Sequence, residues 1–158
     1  MGDGPPFVRD GDRFGVDLPE ELREVLASMV GDLRRLVTTE DPSRDPSVTR
    51  LYPPAYPDDL LQNLDYDRSQ HDELRDGRLA GIDTVLRTLD SASLTEDELL
   101  AWLRTCNDLR LVLGTRLDIQ EESTAADFAD DREARTSFTA YALLTEVVGD
   151  IVEALDAG

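Results

Sequence analysis

Apolar positions recur with helical spacing over most of the chain. Between residues 19 and 38 they fall at Leu22, Val25, Leu26, Met29, Val30, Leu33, Leu36 and Val37, three and four apart, which predicts an amphipathic helix. Pro19 suits its first turn, where a missing N–H costs nothing, and Glu20 and Glu21 sit at the positive end of its dipole. Upstream, "FVRDGDRFGVD" places two short apolar stretches around an Asp-Gly turn, a candidate β-hairpin pairing 7–9 with 13–17.

Five prolines at 42, 46, 53, 54 and 57 make 39–57 a loop. A short helix over 58–64 and a longer one over 69–89 are expected next, the latter with Leu74, Leu79, Ile82, Val85, Leu86 and Leu89 inward. Gly77 and Gly81 weaken that helix or allow close packing. The helix over 95–119 has the clearest start: Thr95 can cap while Glu98 reaches back, and Leu94 can staple to Leu99. Its buried stripe reads Leu99, Trp102, Leu103, Cys106, Leu109, Leu113 and Leu117. A last helix over 130–155 turns Phe138, Tyr141, Leu144, Val148, Ile151, Val152 and Leu155 inward. No repeat and no strong internal boundary appears. The fold expected is mainly α: a compact four- to five-helix bundle with a short N-terminal β-hairpin, one domain over 1–158.

Composition changes the picture in one respect. Hydrophobic residues at 40% of 158 suffice for a folded core. No apolar run approaches the roughly 18 residues of a membrane span. The N-terminus has neither the basic nor the apolar region of a secretory signal, so a cytoplasmic location is expected. The charge is unusual: 35 acidic residues against 16 basic, every one Arg, for a formal net of −19. Such a chain is repelled by nucleic-acid phosphates and anionic membranes, so direct DNA binding is disfavoured unless arginines cluster locally, Arg110, Arg116 and the Arg132/Arg135 pair being the candidates.

Candidate chemistry is sparse. Asp65, Asp67 and Ser69 have the spacing of a calcium loop, but Gln70 stands where glycine is needed and Asp76 closes where glutamate is needed. They read as a solvated helix start. His71 and Cys106 are the sole histidine and cysteine, which removes intramolecular disulfides and most zinc chemistry. Cys106, among Trp102, Leu103 and Leu109 on one helix face, reads as a core residue, with a redox switch as the alternative. No nucleophile elbow or phosphate loop appears; neither enzyme activity nor a cofactor or metal is expected. Within "TCNDLRLVLGTRLD", Asn107, Asp108, Arg110 and Arg116 lie on a helix whose other sides are apolar, so they read as a structural polar network, with an interaction or ligand site as the alternative. Gly114 would let another backbone come close. In "RLYPPAYPDD", Arg50, Tyr52 and Tyr56 either wrap the bundle or dock a partner.

"ELLAWL" followed by "NDLRLVLGTRLD", the upstream "RLYPPAYPDD" and the hairpin-then-helix beginning together resemble an actinobacterial family. It was long classed as a domain of unknown function and is named for an actinomycete oxidative-stress regulator (AosR-like). The resemblance runs from about Phe7 to Leu155. It implies a cytoplasmic transcriptional regulator of redox homeostasis that contacts a sigma factor or RNA polymerase. Family genes tend to lie beside that of the Clp protease adaptor for N-terminal degrons, so the resemblance also admits an interaction module in protein turnover. Homo-oligomerisation stays open. A sensor using an internal disulfide needs two cysteines, and this chain has one.

Overall fold

The computed structural model describes residues 4–39, 60–119 and 123–157, with side-chain surroundings in the second helix from residue 73 onward. Strands β1 (Phe7–Asp10) and β2 (Arg13–Val16) form the expected hairpin. Gly11, at φ +64°, makes the turn in a region that a side chain would strain. Among the described residues four α-helices follow: α1 (Glu20–Thr39), α2 (Leu60–Thr88), α3 (Glu96–Arg116) and α4 (Arg132–Asp156). A 3-10 turn, Ala125–Phe128, precedes α4. No helix among the described residues is long and apolar enough to cross a membrane.

Three differences from expectation have local causes. The break predicted between 64 and 69 does not exist, because α2 runs unbroken from Leu60. "DYDR" is polar but holds no Gly or Pro, and such residues cost a helix only tenths of a kcal/mol each, about 0.5. The calcium-loop reading over 65–76 fails with it, since that span is continuous helix and not a loop. The hairpin also gains a third strand, β3 (Ser93–Thr95), antiparallel to β2 in the order β1-β2-β3. Leu94 stands opposite Phe14 in that register, and both are fully buried. Third, α3 stops at Arg116, not 119. Asp118 takes a left-handed φ of 53°, the Ile119 N–H donates to the Gly114 carbonyl and the Asp118 N–H to that of Thr115. This is a Schellman stop with Asp where Gly is usual. The Pro-rich segment with Arg50, Tyr52 and Tyr56 lies outside the described residues.

The core is centred on α3, which packs against α2 on one side and α4 on the other. Its start is locked by the expected capping box: Thr95 Oγ1 accepts from the Glu98 N–H, and Glu98 accepts from the Thr95 N–H at 2.8 Å. Trp102 is wholly enclosed, edge-on to Phe7 with ring centroids 6.1 Å apart. Its indole N–H donates to Thr88 Oγ1 at 2.8 Å, and that hydroxyl donates to the Thr84 carbonyl at 2.7 Å. The buried stripe of α3 is Leu99, Trp102, Thr105, Cys106, Leu109 and Val112. Leu103 and Leu113 flank it half-buried, and Leu117 lies past the helix end. In α4 the buried set is Leu144, Val147, Ile151 and Ala154. Val152 was expected inside and is 41% exposed; Val25 of α1 is similarly outward at 42%. Arg9 ties the sheet to the end of α4, its guanidinium 4.6 Å above the Phe14 ring and reaching the Leu155 carbonyl.

Candidate functional site: a polar groove and an acidic helix face

The polar residues of α3 divide among three surroundings. Asp108 faces α2, where one carboxylate oxygen lies 3.2 Å from Arg78 Nε. Both side chains are largely enclosed, at 13% and 19% exposure. Burial pushes the Asp108 carboxyl upward from its ordinary value, and the Arg78 charge pulls it back. Enclosing a charge pair is poor value as stability alone, since desolvation offsets most of the attraction. The pair borders a groove of about 440 Å³ between α2 and α3. Gly77, Gly81 and Ala101 form its floor; Thr105 and Arg104 complete its polar wall. At 81 a Cβ would meet Thr105 Oγ1 at 3.4 Å, an ordinary van der Waals contact, so α2 and α3 pass close to each other there. At 77 a Cβ would meet nothing within 4 Å, so that position opens onto free space.

Arg110 faces α4, its guanidinium carbon 6.0 Å from the centre of the Tyr141 ring. Gly114, one turn on, accommodates that same ring, since a Cβ there would come within 3.3 Å of Tyr141. The close neighbour is therefore a side chain and not the backbone anticipated from sequence. Arg116 sits at the far end of α3, bordering two further hollows, one beside Asp32 and Leu36 of α1 and one beside Asp131, which caps α4, and Glu133 in its first turn. Asn107 is half-buried and takes no part in the groove lining. Asn107, Asp108, Arg110 and Arg116 thus do not converge on one site. Arg78, which the sequence did not single out, is the residue that gives Asp108 its chemistry.

Cys106 has no exposed surface. Burial pushes its thiol up to about 12, so the thiolate that oxidants attack is suppressed in the folded chain. Among the described residues no three His, Cys, Asp or Glu side chains gather closely enough to hold a metal ion.

A second feature lies on the outer side of α4. Glu146, Asp150 and Glu153 follow one another at four and three residues, which stacks them on one helical face. Glu146 and Glu153 are exposed. Partial burial, then the neighbouring Glu153 and Glu146 charges, raise the Asp150 carboxyl above its ordinary value. No arginine pairs with the three among the described residues, and the last turn of the helix carries no basic residue. Like charges at this spacing destabilise a helix.

A family model described as "Domain of unknown function (DUF2017)" matches residues 4–155. The chain belongs to this family. No curated protein and no solved structure matches it. The DUF2017 match covers the four described helices almost completely and includes the groove and the acidic face alike.

Proposed function

We propose that this DUF2017 protein is a regulator that works by protein contact, its acidic α4 face docking on a basic surface of a sigma factor or RNA polymerase during oxidative stress. The observation that carries the contact reading is the uncompensated Glu146–Asp150–Glu153 stripe. A face that costs the free helix stability through self-repulsion gains most when a cationic partner neutralises it. The identity of the partner rests on the resemblance of "ELLAWL…NDLRLVLGTRLD" to the oxidative-stress regulator family. Direct promoter reading is the weaker alternative, because a net charge of −19 opposes approach to phosphate. The enclosed Cys106 thiol supports a response received through the partner or a ligand, not through this cysteine.

The test immobilises the protein and passes purified RNA polymerase and stress sigma factors over it at physiological salt, alongside the double variant Glu146→Arg/Glu153→Arg. Retention by the wild type, lost on charge reversal and weakened by added salt, is the expected result. Absence of any retention overturns the proposal. So does equal retention by the reversed variant.

A further inference from the structure

The geometry points to the α2–α3 groove as a binding site for a small zwitterion of the free α-amino-acid class, with Arg104 receiving the ligand carboxylate and Asp108 its ammonium group. The volume, about 440 Å³, falls within the range of small-molecule sites. Arg104 and Asp108 are four residues apart on α3, so they stand one turn apart on the same face and border the same space. They do not pair with each other. Asp108 is engaged across the groove by Arg78, whose Nε lies 3.2 Å from one carboxylate oxygen. Arg104 is exposed and has no ion-pair or hydrogen-bond partner among the described residues, in a chain where acids outnumber bases 35 to 16. Arg78 fixes Asp108 in place and favours its ionised form against the effect of burial, as an ammonium-binding carboxylate requires. Thr105 adds a hydroxyl beside them, and the Gly77 side of the groove leaves room for a ligand side chain.

The charge pattern selects among ligand classes. A simple anion meets Arg104 but also the field of a chain at −19 and the Asp108 carboxylate. A simple cation meets Asp108 but also Arg104 and Arg78. A molecule neutral overall, with both charges a few bonds apart, satisfies the groove at either end and feels little long-range repulsion. This site is separate from the acidic face of α4.

The experiment records two-dimensional amide NMR spectra of the full chain while the standard free amino acids are titrated one at a time to millimolar concentration. The expected result is saturable movement of the Gly77, Gly81 and Ala101 amides with at least one amino acid. The N-acetyl derivative of that amino acid, which lacks the cation, and the matching amine, which lacks the carboxylate, should each bind at least about tenfold more weakly. Arg104→Gln, an exposed change, and Gly77→Leu, which fills open space and favours the helix, should weaken binding by a similar factor while leaving the remaining spectrum folded. Glu146→Arg/Glu153→Arg should bind the amino acid normally, which separates this site from the contact face. No saturable movement with any amino acid overturns the inference. Equal binding of the N-acetyl derivative also overturns it, by reducing the groove to an anion site.

Discussion

The hydrogen bond from the Trp102 indole to Thr88 is the point where one atom decides how α2 and α3 lock together. Thr88 is 3% exposed and Trp102 fully buried, with 2.8 Å between Nε1 and Oγ1. Thr88→Val keeps the shape and removes the acceptor. The buried indole N–H is then left without a partner, at a cost of about 1–3 kcal/mol. Exchanging the hydroxyl for a methyl in an apolar site returns about 0.8 kcal/mol. The net expectation is a loss of up to about 2 kcal/mol, and for a chain of this size a melting point lower by up to roughly 8 °C. Thr88→Ser, which keeps the oxygen and loses only a methyl, should cost about 1 kcal/mol, nearly all of it packing.

Urea unfolding followed by far-UV circular dichroism gives both numbers, and Trp102, the sole tryptophan, reports the same transition by fluorescence. The discriminating step is a double-mutant cycle with Trp102→Phe, which removes the donor. In that background Thr88→Val should be close to neutral or stabilising, because no N–H remains to be stranded. A coupling energy of at least about 1 kcal/mol is expected, against the roughly 0.3–0.5 kcal/mol within which independent sites add. If Thr88→Val costs as much with Phe at 102 as with Trp, the bond is not what holds this contact, and the reasoning fails.

Three further predictions follow from the local chemistry. The Glu98 carboxyl is held below its ordinary value of 4.5, first by the Thr95 backbone N–H and then by the Thr95 hydroxyl and the Arg87 and Arg13 charges. Its contribution to stability is therefore complete above about pH 4.5 and lost as pH falls through the lowered value; Glu98→Gln should flatten that part of the stability–pH curve, and an unchanged acid limb counts against the capping role. Cys106, pushed up to about 12, should react with a disulfide reagent at pH 8 only as fast as the chain unfolds, and ionisation of the unfolded thiol should erode stability as pH rises above 9.0; rapid reaction in native buffer is the contrary result. Gly149→Ala, with nothing within 4 Å of the added Cβ, should stabilise α4 by about 0.5–1 kcal/mol. Gly114→Ala should gain less because its Cβ crowds Tyr141 at 3.3 Å, and equal gains by thermal melting would mean that the ring moves freely.

The parts of the fold that showed in the sequence are those where one helix buries one stripe. Helix α1 does so, and its periodic leucines and valines predicted it to within a residue at either end. The capping box was equally plain, because Thr95 and Glu98 are local to each other. Helix α3 is different. It packs on α2 and α4 and against β3, so its enclosed surface extends beyond one apolar stripe. Thr105 is buried as completely as its leucine neighbours, and no single-stripe pattern would place it inside. The same limit blurred α4: Val147, which the pattern did not single out, is buried, Val148 packs half-buried against the core as expected, and Val152 turns outward. Strand β3 is three residues long and acquires meaning only from Phe14, 80 positions upstream of Leu94.

The candidate sites divide along the same line. That α3 carries an enclosed polar group could be read locally, and Asp108 is that group. What Asp108 does depends on Arg78, thirty residues earlier on another helix, and on the glycines and alanine whose small size leaves the groove beside it. No spacing within α3 encodes that partner. The acidic face of α4 poses the opposite problem. Glu146, Asp150 and Glu153 are local and helically spaced, yet in a chain with 35 acids such a run looks like background. The structure separates it from background by two facts that a count of acids does not contain: the helix places no arginine among them, and their mutual repulsion acts on a carboxyl that is partly withdrawn from water. Solvation and long side chains relax repulsion on a fully exposed surface, but a partly enclosed Asp150 keeps it. That partly withdrawn, unneutralised carboxyl is the physical ground on which the proposed contact is placed at this face.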